Sequence, residues 1–515
     1  MMKRIKHIVW AAAACAVALT SVSCLEKYPS SAIPEDQAMQ TINDAEQHVN
    51  GIYASLLSAY LYSGQLTLLP DIQSDMVAAV EGNTNTYGRF WRWQIRSTDS
   101  EIEGVYGSLY AVIGNCNFFL DRVGDVMARL TDDDEIDMLE IYTGEVYAIR
   151  AMCYSELLKC YCKAYDPATA ASTPGVVLRT KYFEKEPIVR ASLKESYDFV
   201  LADLARAEER LSDDDGDNPA SAAFMTLSAA RALHARVALY MQAWDEAIKY
   251  ATMQIDRKKC FALASVRDTS TPDGASWFDY MWAYDASYEV IWRVGFTATS
   301  YGGALGQVFL NFTSDYYYFY PDYVPTQAVL NSFERADERD DSYFAYVNIG
   351  YSNGMEWPVL VKYYGNRSLI SNYIYHVNMP KPFRLAEQYL IRAEAYCRTG
   401  QYAKAGTDLS TLRTARFTTG GTITVNENNW LRTIADERLK ELYMEGFRLH
   451  DLKRWGEEYA QINGGYAIVR TPQNYEQSEG SDLQIKADDP MFVWPIPQHE
   501  IEAPGSQLVP NDSNK

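Results

Sequence analysis

The stretch of sequence that decides the fold is ERLKELYMEGFRLHDLKRWG, residues 437–456. Its acidic residues Glu437, Glu441 and Glu445 recur every four positions, so they share one face of a predicted helix. Arg448 lies three positions from both Glu445 and Asp451, which predicts an ion network along that face. Gly446 inside a helix costs about 1 kcal/mol relative to alanine, which indicates that another backbone passes close to it. We therefore interpret the stretch, with Glu441, Glu445, Gly446, Arg448 and Asp451 at its centre, as structural and not catalytic.

Helical periodicity extends upstream of this stretch. Apolar residues at helical spacing predict helices over 44–62, 105–123, 141–165, 192–211, 224–240, 244–255, 385–398 and onward through residue 412. The helices 224–240 and 244–255, and those on either side of Gly400, are joined by short turns, which is typical of tetratricopeptide-like pairs. Such pairs normally follow one another at a period of about 34 residues, but here they are scattered. We predict helical repeats at about 141–257 and 385–456, interrupted by an insertion at about 260–384.

The insertion has a different composition from the rest of the chain. Between Trp277 and Tyr323, 17 of 47 residues are aromatic, against 13% for the whole chain. Residues 288–296 alternate in the manner of a strand, which predicts that Trp292 lies in the core. The predicted fold class is mainly α: a tetratricopeptide-like helical-repeat scaffold with a large irregular, β-containing insertion.

The N-terminus has the pattern of a lipoprotein leader. Lys3, Arg4 and Lys6 precede an apolar run over residues 8–19, and small residues then lead to Cys24. The apolar run is too short for a retained transmembrane helix, so the order predicts a signal peptide, residues 1–23, cleaved before an acylated Cys24. Residues 24–34 are predicted to form a lipidated tether, and residues 35–515 a single domain.

Composition and missing motifs exclude several classes of function. The net charge of −21 disfavours binding to nucleic acid. The cysteines after Cys24 lack the spacing of a metal site, although a disulfide between distant cysteines stays possible. The string Gly350–Gly354 resembles a nucleophile elbow, but it lacks the strand and helix that this motif requires. We therefore predict no cofactor, no metal and no enzymatic activity, while a carboxylate pair for glycoside hydrolysis stays open.

Aromatic side chains near polar ones suggest sugar binding, because the C–H faces of sugars stack on aromatic rings. One such cluster follows residue 82 and the other lies in the insertion. For Trp91, Trp93 and Trp282, burial in the core is an equally good interpretation. The predicted ligand contacts are Asn83, Asn85, Arg89, Trp91, Trp93, Trp282, Tyr284, Tyr317 and Tyr320.

Four stretches resemble the SusD-like (RagB/SusD) family of nutrient-binding lipoproteins. They are residues 437–456, RLAEQYLIRAEA at 384–395, VWPIP at 493–497 followed by Glu500 and Ile501, and the segment at 110–121 with Asn115 and Asn117. The resemblance implies a tetratricopeptide-like scaffold with an irregular ligand-binding half. It also implies a lipoprotein of the outer membrane that faces the cell exterior and caps a SusC-like TonB-dependent transporter. The family's ligand contacts lie in variable loops, so no motif fixes them in this chain.

The sequence thus predicts a surface protein that captures oligo- or polysaccharide and delivers it to a SusC-like transporter, acting as its lid. A lid of the same kind that takes peptides is an alternative, and a glycoside hydrolase is a weaker one. A peptide-binding lid would show polar groups that read a backbone, without an aromatic platform.

Replacing the predicted lipid acceptor tests the leader assignment. We expect Cys24→Ala to move the protein from the membrane fraction to the soluble fraction, because the acyl chains provide the only predicted anchor. Fractionation and immunoblotting measure this, with Cys260→Ala as the control that stays in the membrane. Retention of the Cys24→Ala protein in the membrane would contradict the assignment.

Overall fold

The computed structural model describes residues 38–80, 82–183, 187–212, 221–312, 319–350, 356–470 and 483–515. The predicted signal peptide, Cys24 and the tether lie outside these residues. Within the described ranges, no helix is long and apolar enough to cross a bilayer.

Helices make up most of the regular structure, and the predicted mainly α fold class is confirmed. The longer helices are α1 Ile42–Ser55, α2 Gln65–Ile72, α4 Ser100–Met127, α5 Asp133–Tyr161, α6 Leu193–Arg210, α7 Leu227–Tyr240, α8 Trp244–Ile255, α9 Trp277–Tyr284, α14 Leu385–Arg398, α15 Tyr402–Arg416, α16 Trp430–Glu441 and α17 Arg448–Ile462. Short helices are α3 Gly88–Trp91, α10 Gln307–Leu310, α11 Gln327–Leu330, α12 Arg339–Tyr343, α13 Arg367–Ile370 and α18 Gln498–Glu502.

The strands are short and form two-stranded antiparallel sheets. They are β1 Val77–Ala79 with β3 Tyr323–Pro325, β2 Val290–Trp292 with β6 Phe383–Arg384, β4 Phe344–Asn348 with β5 Glu356–Leu360, and β7 Ile468–Arg470 with β8 Leu483–Ile485. The predicted strand at 288–296 is therefore limited to β2, and Trp292 is fully buried as predicted.

Two predicted helices, α8 and α14, have the predicted bounds, whereas α5 begins earlier than predicted. The Asp132 carboxylate accepts hydrogen bonds from the backbone N–H groups of Asp134 and Glu135, and so caps the first turn of α5. The first turns of α5 are acidic and mostly exposed, with Leu139 the only buried residue before Thr143, so their apolar period is weak. This weak period explains why the sequence places the start too late.

The helix pairs scattered in the sequence are continuous in space. Each helix from α4 to α8 contacts the next, α8 contacts α14, and α14 pairs with α15. Ala247 and Ala251 of α8 pack with Ile391 and Ala395 of α14, where small side chains allow close approach. The insertion therefore interrupts the repeat along the chain but not in the structure.

The insertion is attached to the N-terminal part of the chain through the β1–β3 pair. Val77 lies opposite Pro325 and Ala79 lies opposite Tyr323. A second hydrophobic core forms around this pair, with Phe278 and Tyr343 from the insertion among its buried residues. This arrangement brings the loop after β1 beside the insertion.

The sequence predicts one helix over the decisive stretch at 437–456, but the structure has two helices joined by a turn. Helix α16 ends at Glu441 and α17 begins at Arg448. Gly446 has φ +84°, and a Cβ on it would lie 3.1 Å from the Leu66 carbonyl oxygen. Only glycine tolerates this position easily. The predicted close approach of another backbone is present, but a turn and not a helix accommodates it.

This turn holds a buried carboxylate from the other end of the chain. The N–H groups of Gly446 and Arg448 each donate to the Asp71 carboxylate at 2.8 Å. Burial raises the pKa of Asp71 to about 7, and these two N–H groups oppose the rise. The turn therefore ties α2 to α17.

The predicted ion network exists, but with different partners. The guanidinium of Arg448 pairs with Asp75 at 2.8 Å and not with Glu445 or Asp451, because the turn redirects it. Asp451 instead pairs with Arg438 at 2.7 Å and Arg454 at 2.9 Å. The helix-face interpretation of Arg448 is therefore wrong.

Glu441 lies at the centre of a buried charge cluster. Its carboxylate accepts from Arg384 at 2.9 Å, Arg416 at 2.9 Å and Arg339 at 3.1 Å. Burial alone would raise the pKa of Glu441, but Arg416 and Arg384 outweigh that effect and hold it well below its usual range. Glu445 next pairs with Arg384 and Lys362, each at 2.7 Å. The cluster joins the insertion to α14, α15 and α16.

Removing the central carboxylate should destabilise the protein strongly. We expect Glu441→Ala to lower the free energy of unfolding by about 3–5 kcal/mol, because buried arginines lose a charge partner. Urea denaturation measures this, with the exposed Glu427→Ala as the matched control, which should change stability by less than about 0.5 kcal/mol. Equal effects of the two substitutions would contradict the central role of Glu441.

Candidate functional site

Two of the predicted sugar-stacking tryptophans lie in the core. Trp91 is fully buried, its Nε1 donates to the Val77 carbonyl oxygen at 3.0 Å, and the Arg470 guanidinium lies 4.4 Å from its ring centroid. Trp282 is 6% exposed, with the ammonium groups of Lys362 and Lys381 at 4.2 and 4.7 Å from its ring centroid. Neither ring offers a free face to a sugar, so these two predictions are wrong.

Trp93 is half-buried, and its indole is held by the protein. Its Nε1 donates to the Gln73 carbonyl oxygen at 2.7 Å. Its ring packs edge-on against Phe492, with centroids 5.0 Å apart. The sequence could not reveal these contacts, because their partners come from distant segments.

A polar pocket of about 390 Å³ lies between the loop after β1 and the insertion. Its polar lining comprises Ser63, Thr84, Thr86, Tyr87, Gln307, Asn311 and Asp322. The Gly303 N–H donates to the Ser63 hydroxyl at 2.9 Å, which fixes one wall. This volume falls in the usual range for small-ligand sites, about 300–1,000 Å³.

The loop at 82–87 is held in place by two residues at the start of β3. The Thr84 N–H donates to Asp322 Oδ1 at 2.6 Å, and the Thr84 hydroxyl lies 2.9 Å from both oxygens of that carboxylate. The Tyr323 hydroxyl donates to the Thr86 carbonyl oxygen at 2.6 Å. The β1–β3 pair therefore places the loop against α10.

The predicted polar contacts of this loop have different positions. The Asn83 amide donates to the Val80 carbonyl oxygen at 2.6 Å and its Oδ1 accepts from the Asn85 N–H, so it shapes the turn. Asn85 is exposed with φ +63°. Arg89 is exposed and lies 3.5 Å from Asp99. None of these three lines the pocket, whereas Thr84 and Thr86, which alternate with the asparagines, were missed.

Exposed aromatic rings begin where the pocket ends. Phe312 follows Asn311 directly, and its ring stacks on Tyr364 with centroids 5.8 Å apart and contacts Tyr375 edge-on at 5.8 Å. Tyr364 is 42% exposed and Tyr375 is 37% exposed. Both tyrosines lie beyond the densest aromatic run, so the sequence did not predict them as ligand contacts. Tyr320 is half-buried, and Tyr317 lies outside the described residues.

A second row of rings lies along α9. Trp277 and Tyr280 have centroids 5.4 Å apart, and Tyr280 stacks on Tyr284 at 4.4 Å. All three are half-buried. The Arg367 guanidinium lies 5.5 Å from the Tyr284 centroid, and Arg367 is three positions after Tyr364. We call Phe312, Tyr364, Tyr375, Tyr284, Tyr280 and Trp277 the aromatic arc.

The site carries little charge. Asp322 is the only charged residue among the described residues that line the polar pocket. No group of three or more His, Cys, Asp or Glu side chains that could hold a metal ion occurs in the described ranges. The six cysteines seen in the structure, Cys116, Cys153, Cys160, Cys162, Cys260 and Cys397, are unpaired, so no disulfide forms among them.

Sequence models of known families match both halves of the chain. A model described as the SusD family matches residues 342–512, and one described as starch-binding associating with outer membrane matches residues 25–239. The chain belongs to the SusD-like family. SusD-like protein P2 of Formosa agariphila is 24% identical over 539 residues, covering 96% of this chain and 97% of the relative.

Solved structures of the SusD superfamily share the fold. A SusD superfamily protein from Bacteroides thetaiotaomicron has a TM-score of 0.75 and 21% identity, covering 91% of this chain and 99% of that one. A putative sugar binding protein from Bacteroides vulgatus has a TM-score of 0.73 and 23% identity, covering 93% and 100%. At these identities the likeness concerns the fold.

The difference in burial between Trp91 and Tyr375 predicts that their replacement changes stability by different amounts. We expect Trp91→Ala to cost about 3–5 kcal/mol of unfolding free energy, because it leaves a cavity in the second core. Tyr375→Ala should change it by less than about 1 kcal/mol, because the ring is partly exposed. Urea denaturation of both variants measures the difference, and a stable Trp91→Ala protein would contradict the core position.

Proposed function

We propose that this SusD-like protein captures oligo- or polysaccharide at the cell surface and delivers it to a SusC-like TonB-dependent transporter, acting as its lid. The observation that carries the proposal is the meeting of the polar pocket with the aromatic arc at Asn311 and Phe312. Together they form a site with hydroxyl and amide groups on one side and exposed rings on the other.

This combination matches the chemistry of a sugar. The hydroxyl groups of a pyranose exchange hydrogen bonds with side chains such as Thr86 and Gln307, while its C–H face packs on rings such as Tyr364 and Tyr375. The stacked rings of α9, which Arg367 connects to the segment of Tyr364, would provide contacts for further sugar units of one chain. We therefore propose that the ligand is an extended saccharide, in preference to the peptide-binding alternative.

The placement at the outer membrane rests on the family and on the leader. One matching family is described as starch-binding associating with outer membrane, and Cys24 follows a lipoprotein-like leader. We propose a lipid anchor at Cys24 and a position facing the cell exterior. The transporter partner follows from the family resemblance alone.

The pocket supports binding and not hydrolysis. Glycoside hydrolases commonly use two carboxylates about 5–10 Å apart. Among the described lining residues Asp322 is the single carboxylate, and Thr84 occupies both of its oxygens. A binding protein without catalytic activity is therefore the function that this geometry supports best.

An affinity-gel screen of the domain after Cys24 against polysaccharides, with an assay for released sugars, tests the capture role. We expect retention by at least one polysaccharide and no released sugar. Tyr364→Ala combined with Tyr375→Ala should weaken binding on the order of tenfold, because each ring contributes about 0.5–1.5 kcal/mol.

The control is Phe224→Ala, which removes a half-exposed ring from the helical half of the protein and should leave retention unchanged. Retention by peptides alone would favour the peptide-binding lid, and released sugar would indicate a hydrolase. Affinity purification of the full-length lipoprotein from its own outer membrane should also recover a TonB-dependent barrel. Its absence would contradict the lid role while leaving capture intact.

A further inference from the structure

The two chain segments that form the polar pocket contain no basic residue. All residues that line the pocket come from 59–87 and 303–322. The sequence has neither lysine nor arginine over residues 28–88 and 294–334, although the chain carries 47 of them. The part of the second segment that lies outside the described ranges, residues 313–318, has one acidic residue and no basic residue in its sequence. The two segments that line the pocket therefore provide no lysine or arginine that could pair with an anionic ligand.

Four cations lie near the pocket in sequence or along the aromatic arc, but none of them lines the pocket. Arg89 follows the loop and pairs with Asp99. Arg92 lies beside Gly88, and its charge lowers the pKa of Tyr323 against the larger effect of burial.

The two cations near the aromatic arc are paired with carboxylates. Arg367 pairs with Asp273 at 2.9 Å, and Lys362, two positions before Tyr364, is buried against Glu445.

The polar groups that face the pocket complement alcohols. The Thr84 hydroxyl has one proton and gives it to Asp322, so the Thr86 hydroxyl, 2.6 Å away, donates to Thr84 and keeps its own lone pairs. The Gln307 amide nitrogen donates to Asn311 Oδ1. This leaves Gln307 Oε1 as an acceptor and the Asn311 amide as a donor at the pocket.

We propose that the polar pocket selects uncharged sugar residues over those that carry a carboxylate or a sulfate ester. This inference rests on the proposed capture function. Proteins recognise carboxylate and sulfate groups through arginine or lysine, which form charge-assisted hydrogen bonds with them. In this pocket an anionic sugar meets the Asp322 carboxylate and no opposing cation, so its charge is desolvated without compensation.

The test uses a neutral polysaccharide retained in the capture screen, together with its carboxymethylated or sulfated derivative. At about 10 mM salt, where charges interact over about 30 Å, the charged derivative should bind at least on the order of tenfold more weakly. At about 1 M salt, where the range falls to about 3 Å, the difference should shrink. Equal binding of the two at low salt, or retention of acidic polysaccharides only, would overturn the selectivity and leave the capture function standing.

A charge change at the exposed rim residue Gln307 provides matched variants. Gln307→Lys should raise affinity for the charged derivative several-fold, while Gln307→Glu should lower it further. Both remove the same amide, so their effects on the neutral polysaccharide should be similar. Identical behaviour of both variants toward the charged derivative would also overturn the proposal. Failure to retain any polysaccharide would instead overturn the capture function itself.

Discussion

The fold depends on the pairing of Glu441 with buried arginines. Arg384 directly precedes α14, Arg416 ends α15 and Arg339 begins α12, so one carboxylate at the end of α16 connects four elements. Fully buried arginines are costly unless every charge is matched. The arginines and Glu441 come from the insertion, the second helix pair and the decisive stretch. Their charges are therefore compensated only when all three parts have folded together.

The helical half could be predicted from the sequence because its helices bury one face. Periodicity gave α8 and α14 their bounds, and small residues identified the pairs. The turn at Met444 and Gly446 could not be predicted in the same way, because a charge pattern at helical spacing fits one helix as well as two. The left-handed φ of both residues resolves this question only in the structure.

The candidate site could be predicted less well than the fold. Composition located the two regions that meet at the pocket, but it favoured tryptophan as the ligand contact. Trp91 and Trp282 lie in the core instead. Trp91 is buried because β1 pairs with β3, a contact between segments far apart in sequence. The smaller residues Thr84, Gln307 and Tyr375 give no periodic or compositional signal. Their positions at or beside the pocket follow only from contacts between segments that are far apart in sequence.

The bonds between Asp71 and the turn before α17 have a consequence for the order in which the chain can fold. They join residues 375 and 377 positions apart, so the Asp71 carboxylate lacks these two donors until nearly the whole chain has been synthesised. Contacts this distant in sequence also slow folding. The unfinished chain therefore keeps a buried-type carboxylate and its neighbours exposed until residues near the C-terminus arrive, and a product truncated before residue 446 would be left with an incomplete core.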